Sequence, residues 1–130
     1  MNMNKIRNNK AAFTLVEIMI VVAIIGLLAA LAIPGFVKAR KQSQGRRILN
    51  DARQMDAAVD QWALENGKTD GATIDTSVAT GAASYLKTPW SNTDLLSNSF
   101  GLGKVGSNQV SISTSSKSSL AGVGIDWGAY

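Results

Sequence analysis

"AAFTLVEIMIVVAIIGLLAALAIPGF", Ala11 to Phe36, decides how the rest of the chain is read. From Ile18 to Val37 no side chain carries a charge. Twenty residues of helix reach about 30 Å, the thickness of a bilayer core. Its Leu, Ile, Val and Phe side chains favour insertion by about 4 to 7 kcal/mol. One carboxylate, Glu17, stands at the start of this run. A charge at mid-bilayer costs about 3 kcal/mol and one near the end less. Insertion therefore wins with Glu17 ionised, and the question is what Glu17 pairs with.

Charge brackets the apolar run. Lys5, Arg7 and Lys10 precede it with no acid among them, and Lys38, Arg40, Lys41, Arg46 and Arg47 follow it. The net charge of +4 is thus mostly the work of the first three; the other ten basic residues nearly balance nine acids. Basic flanks on an apolar segment point to a membrane before they point to nucleic acid. The residues between Lys38 and Arg47 include no aromatic for bases to stack on, which disfavours nucleic acid further.

Three readings fit the run on these grounds. It is a plain single-pass anchor, with Glu17 reaching the interface. It is a secretory signal peptide cut after Ala30-Leu31-Ala32, an A-x-A-like site, although Glu17 and the apolar residues beyond the cut fit that poorly. Under either of these the chain is an anchored or secreted binding module that does not polymerise.

The third reading is a resemblance. "FTLVEIMIVVAIIGLLAALAIPGF" resembles the N-terminal segment of type IV pilins and type II secretion pseudopilins through Phe13, Thr14, Leu15, Glu17, Gly26 and Pro34. The resemblance covers Phe13 to about Lys41. It implies that residues 1–12 are a basic leader removed by a prepilin peptidase between Ala12 and Phe13, followed by N-methylation of Phe13. Ala12 stands where the family usually has Gly. It further implies a homo-oligomeric helical filament, drawn from the bacterial inner membrane by an assembly ATPase and platform protein, with the C-terminal region outside the cytoplasm. Glu17 and the new Phe13 amine are the expected assembly pair, met between neighbouring copies. Gly26, Pro34 and Gly35 are the expected helix break, since Pro34 has no N–H for the helical ladder. Both a pilus and a pseudopilus fit this pattern.

Beyond Lys38 the helical pattern continues. Ile48, Ala52, Met55, Val59 and Trp62 recur at spacings of four and three, an apolar stripe on one face. Asn66-Gly67 is a stop, Gly67 suiting the left-handed position after a helix. One helix from about Phe13 to Asn66, about 80 Å long, is predicted. The expected organisation is therefore leader 1–12, membrane or filament-core helix 13–37, amphipathic continuation 38–66 and a small β-containing region 67–130. The basic block 38–47 faces lipid headgroups or the acids Asp51, Asp56 or Asp60 of a neighbour.

The C-terminal region predicts a three-stranded antiparallel meander from "SFGLGKV", "QVSIST" and "LAGVGID", with turns at Gly106-Ser107-Asn108 and Ser115 to Ser118. A short helix capped by Asp75 or Thr76 is expected to run toward Leu86. The fold class is α+β, a long helix packed on a small sheet. Catalysis has no support: the chain has no His and no Cys, so Ser–His–Asp and Cys–His arrangements are impossible. No cofactor is expected. Calcium, which major pseudopilins bind in a C-terminal loop, lacks a ligand set here, because Asp94 and Asp126 are isolated. Many type IV pilins close that region with a disulfide, which this chain cannot form.

Overall fold

The computed structural model describes residues 12–130, so all but the last residue of the expected leader lies outside the described residues. The elements are helix α1 (Leu15–Glu65), a 3-10 turn (Ala82–Tyr85), strands β1 (Gly101–Lys104) and β2 (Ser107–Ser111), and helix α2 (Thr114–Ser119). The chain divides into two units, Met1–Val37 and Lys38–Tyr130.

In the first unit the apolar residues of α1 have no cover. Leu15, Leu27, Leu31 and Phe36 are all exposed, and none of the most apolar window is buried. The helix is long and apolar enough to cross a membrane. It runs unbroken through Gly26, Pro34 and Gly35.

The second unit, the head, is built on the predicted stripe. Ile48, Ala52, Met55, Val59 and Trp62 are all buried, joined by Leu49, Ala58 and Ala63. One cluster packs Ile48, Leu49, Ala52 and Met55 against Phe100, Val110, Ile112 and Leu120. A second packs Val59, Trp62 and Ala63 against Ala82 and Val105. Trp62 also donates its indole N–H to the Thr80 carbonyl at 3.1 Å, so its polar edge is satisfied as its body is buried. At the helix end the Asn66 side chain donates to the Trp62 carbonyl at 2.8 Å, and Gly67 takes φ +59°, as the stop signal required.

The sheet has two strands, not three. β1 and β2 pair antiparallel, Gly101 with Ser111, Leu102 with Val110 and Lys104 with Ser107. Asn108 and Gln109 therefore face Gly103 alone, a β-bulge, and Asn108 takes φ +46°. A Cβ on Gly103 would run into the Asn108 backbone carbonyl, so glycine is required there. The connecting turn is Val105-Gly106, one residue earlier than the sequence suggested.

The third expected strand, "LAGVGID", fails because Gly122 and Gly124 take φ +80° and +71°, outside extended backbone. That segment instead crosses α1. The Gln42 side chain donates to the Val123 carbonyl at 2.9 Å, and Ile125 and Trp127 lie so close to Gly45 that a Cβ there would overlap Ile125. Gly45 is a notch for this crossing.

Two other local readings change. Ser115 to Ser118 are not a turn but part of α2, whose N-cap Ser113 accepts from the Ser115 N–H at 3.2 Å. Asp75 caps no α-helix; it closes its own turn by accepting from the Ser77 N–H at 2.9 Å, and only the short 3-10 turn follows.

Candidate assembly segment and its charged residues

Ala12 and Phe13 precede α1 in exposed, irregular backbone, and Phe13 is 81% exposed. α1 begins because Thr14 and Glu17 close a capping box. The Glu17 N–H donates to Thr14 Oγ1 at 3.2 Å, and the Thr14 N–H donates to Glu17 Oε2 at 3.4 Å. Two of the backbone donors that a helix start leaves without partners are thus satisfied by two side chains three residues apart. The carboxylate also sits at the positive end of the helix dipole. In this chain, with the Ala12–Phe13 bond intact, Glu17 has a local partner that sequence reasoning passed over. The signal was present as T-x-x-E ahead of an apolar run.

The carboxylate is exposed, and its hydrogen bond to Thr14 is long, so the group is available to a stronger partner. Cutting the Ala12–Phe13 bond would convert the Phe13 amide into an amine four residues from Glu17. The two groups then have opposite charge on one helical face.

The acids expected to meet a neighbour's basic block are differently placed. Asp56 accepts from the Tyr130 hydroxyl at 2.9 Å, and Asp60 from the Gln109 side chain at 2.7 Å. Glu65, which was not among those acids, accepts from Tyr85 at 2.6 Å and from Gln61 at 3.3 Å. Asp51 lines a recess with Arg47, Met55 and Phe100. The Glu65 hydrogen bond holds the Tyr85 hydroxyl above the usual tyrosine range. Partial burial, then the bond to Asp56, does the same for Tyr130.

The two isolated aspartates both lie in turns. Asp94 is buried, with Oδ1 accepting from the Leu96 and Asn98 N–H groups at 2.8 and 3.0 Å and Oδ2 from Ser116. Oδ1 closes the loop on itself and Oδ2 ties it to α2. Asp126 accepts from the Gly128 N–H at 2.9 Å. Both aspartates act as turn formers.

The comparisons bear on the same segment. The family model of the prokaryotic N-terminal methylation motif matches residues 7–33. Over 58 residues the chain is 47% identical to a type IV major fimbrial protein of Dichelobacter nodosus, a match covering 45% of this chain and 36% of that protein. It is 45% identical over 62 residues to fimbrial protein Q of Moraxella bovis, covering 48% of this chain and 39% of that one. It is 38% identical over 60 residues to the type II secretion system core protein G of Pseudomonas aeruginosa, covering 46% and 42%. The chain thus matches less than half the length of each of these relatives. No solved structure matches it. The resemblance to pilins and pseudopilins read from Phe13 to Pro34 stands, on a segment that carries the methylation motif.

Proposed function

We propose that this chain is a structural subunit of a type IV pilus or type II secretion pseudopilus filament. It is held in the inner membrane by α1, trimmed between Ala12 and Phe13 by a prepilin peptidase, methylated at Phe13 and packed into a helical filament by its apolar span. The observation that carries this reading is an uncovered apolar helix segment, matched to residue 33 by the methylation motif, that opens on an exposed carboxylate.

The chemistry follows from where that helix goes. In lipid, an ionised Glu17 with only a 3.4 Å hydrogen bond is weakly compensated. Leader removal supplies a cation at Phe13. Within one copy the pair meets loosely, because both groups follow one helix start. In a stack displaced by about one helical turn, about 5 Å, Glu17 of one copy lies level with Phe13 of the next. The pair then forms in surroundings where a charge–charge contact is worth several times its value in water. That contact draws copies out of lipid and sets their axial register. Gly26, Pro34 and Gly35 give the packed helix a place to melt locally, since Pro34 offers no N–H to the Ala30 carbonyl. No step requires catalysis by this chain.

The mature amino terminus tests the proposal. Mass spectrometry of the protein from its native membrane is expected to find a first residue of Phe13 carrying one methyl group. A first residue of Ile33 would instead mean ordinary signal cleavage, and an uncut chain a simple anchor; either would refute the filament reading.

A further inference from the structure

We propose that residues 38–47 of α1 form a collar that binds the headgroups of anionic phospholipids, where the helix leaves the bilayer. Lys38, Arg40, Arg46 and Arg47 are exposed and Lys41 is partly so. At about 100° per residue they project at about 0°, 200°, 80°, 180° and 300° around the helix, counted from Lys38. No sector wider than about 100° lacks a cation. The last segment of the head lies against the Gln42 and Gly45 side of the helix; on the other sides the cations face the surrounding medium.

The height of the ring fits as well. Val37 ends the charge-free run and Lys38 is the next residue. Lys38, Arg40 and Lys41 fall within about 5 Å of helix axis. That matches a headgroup layer of about 5 to 8 Å per leaflet. Arg46 and Arg47 stand at most about one Debye length, about 8 Å, beyond it. Their stems can also reach back toward the lipid. No carboxylate lies between Glu17 and Asp51 to cancel the field.

The competing partners fit less well. A second copy would have to offer acids from its own α1, but Asp56, Asp60 and Glu65 already accept hydrogen bonds from Tyr130, Gln109 and Tyr85 of the same head, which leaves Asp51 alone, in a recess it lines with Arg47 of its own helix. Nucleic acid would meet a ring where it needs a track, with no aromatic among residues 38–47. The anionic headgroup asks only for positive charge at the right depth. The collar adds a salt-dependent hold to the apolar one and fixes how far α1 sinks into the bilayer. It requires membrane embedding but not polymerisation.

The chain contains no Cys, so Ser43→Cys places a single fluorophore on the exposed helix surface inside the collar. The full chain is reconstituted in phosphatidylcholine vesicles doped with phosphatidylglycerol spin-labelled on the acyl chain beside the ester, or with phosphatidylcholine labelled in the same way. Quenching is expected to favour phosphatidylglycerol by about fivefold, the preference one surface cation supplies. The preference should vanish in salt strong enough to shrink the screening length to about 3 Å. It should also vanish in the Lys38→Gln/Arg40→Gln/Lys41→Gln/Arg46→Gln/Arg47→Gln variant. Equal quenching by both lipids overturns the proposal, as does a preference that survives either treatment. So does a label shielded from both lipids by a second copy or by added duplex DNA. The salt arm needs no variant, and the measurement is made on unassembled protein, so its failure is distinct from a failure to form filaments.

Discussion

Replacing Glu17 with Gln and with Ala separates the two jobs this residue is assigned. Gln serves at the fourth position of a capping box as Glu does, so Glu17→Gln keeps the hydrogen bond to the Thr14 N–H and removes only the charge. Glu17→Ala removes both. Loss of a cap costs about 0.5 to 2 kcal/mol. Loss of a charge pair at about 4 Å, with an effective dielectric constant near 20, removes about 4 kcal/mol of attraction. That is close to a thousandfold in the equilibrium for adding one subunit. If the charge governs assembly, both variants lose most of their sheared-filament yield. Membrane insertion and head stability should be unaffected, since Glu17 is exposed and its side-chain hydrogen bonding is with Thr14 at the start of the helix, away from the head's core clusters. If the cap governs assembly, Gln is close to wild type and Ala is not. Yield of sheared filaments per membrane-inserted subunit is the assay, with quantitative blotting of the membrane fraction as the denominator. Wild-type yield from Glu17→Gln would refute the charge-pair reasoning.

Trp62→Ala should destabilise the head by about 3 to 5 kcal/mol, because a 3%-exposed indole and its hydrogen bond to the Thr80 carbonyl are both lost; the denaturation midpoint measured in detergent checks this. Gly103→Ala forces a methyl group against the Asn108 carbonyl and should cost about 1 to 3 kcal/mol, with faster amide exchange in β1 and β2 as the signature. Tyr85 and Tyr130 both have raised pKa values in the fold, so their contribution is fully present below the unfolded tyrosine value of about 10 and lost as pH rises through the folded values. Alkaline titration of head stability should therefore fall above about pH 10, and less steeply in Tyr130→Phe; an unchanged alkaline limb in that variant would contradict the assignment.

What could be read from the chain itself followed periodicity. The stripe Ile48, Ala52, Met55, Val59 and Trp62 repeats often enough to fix a face, and every member is buried. The stop at Asn66-Gly67 has its own local chemistry and was equally legible. The C-terminal region was harder because its glycines can be read as strand or as turn. Val110 and Ile112 alternate and point inward, but Gly122 and Gly124 between apolar residues gave a false strand, since only tertiary contact with Gln42 and Gly45 selects their positive φ. Ser115 to Ser118 looked like a turn by composition and became a helix because Ser113 caps it. At the assembly segment, Glu17 was legible as an unusual charge. Its bond to Thr14 is a local capping contact whose T-x-x-E signature is short beside the long apolar run that follows.

Zero-length carbodiimide coupling in filaments built from mixed light and heavy isotope-labelled subunits tests the central claim directly, because it joins only an amine and a carboxylate in contact. The account predicts a Phe13–Glu17 amide joining one light and one heavy subunit. Well-formed filaments that yield this amide only within single subunits, or not at all, would contradict it.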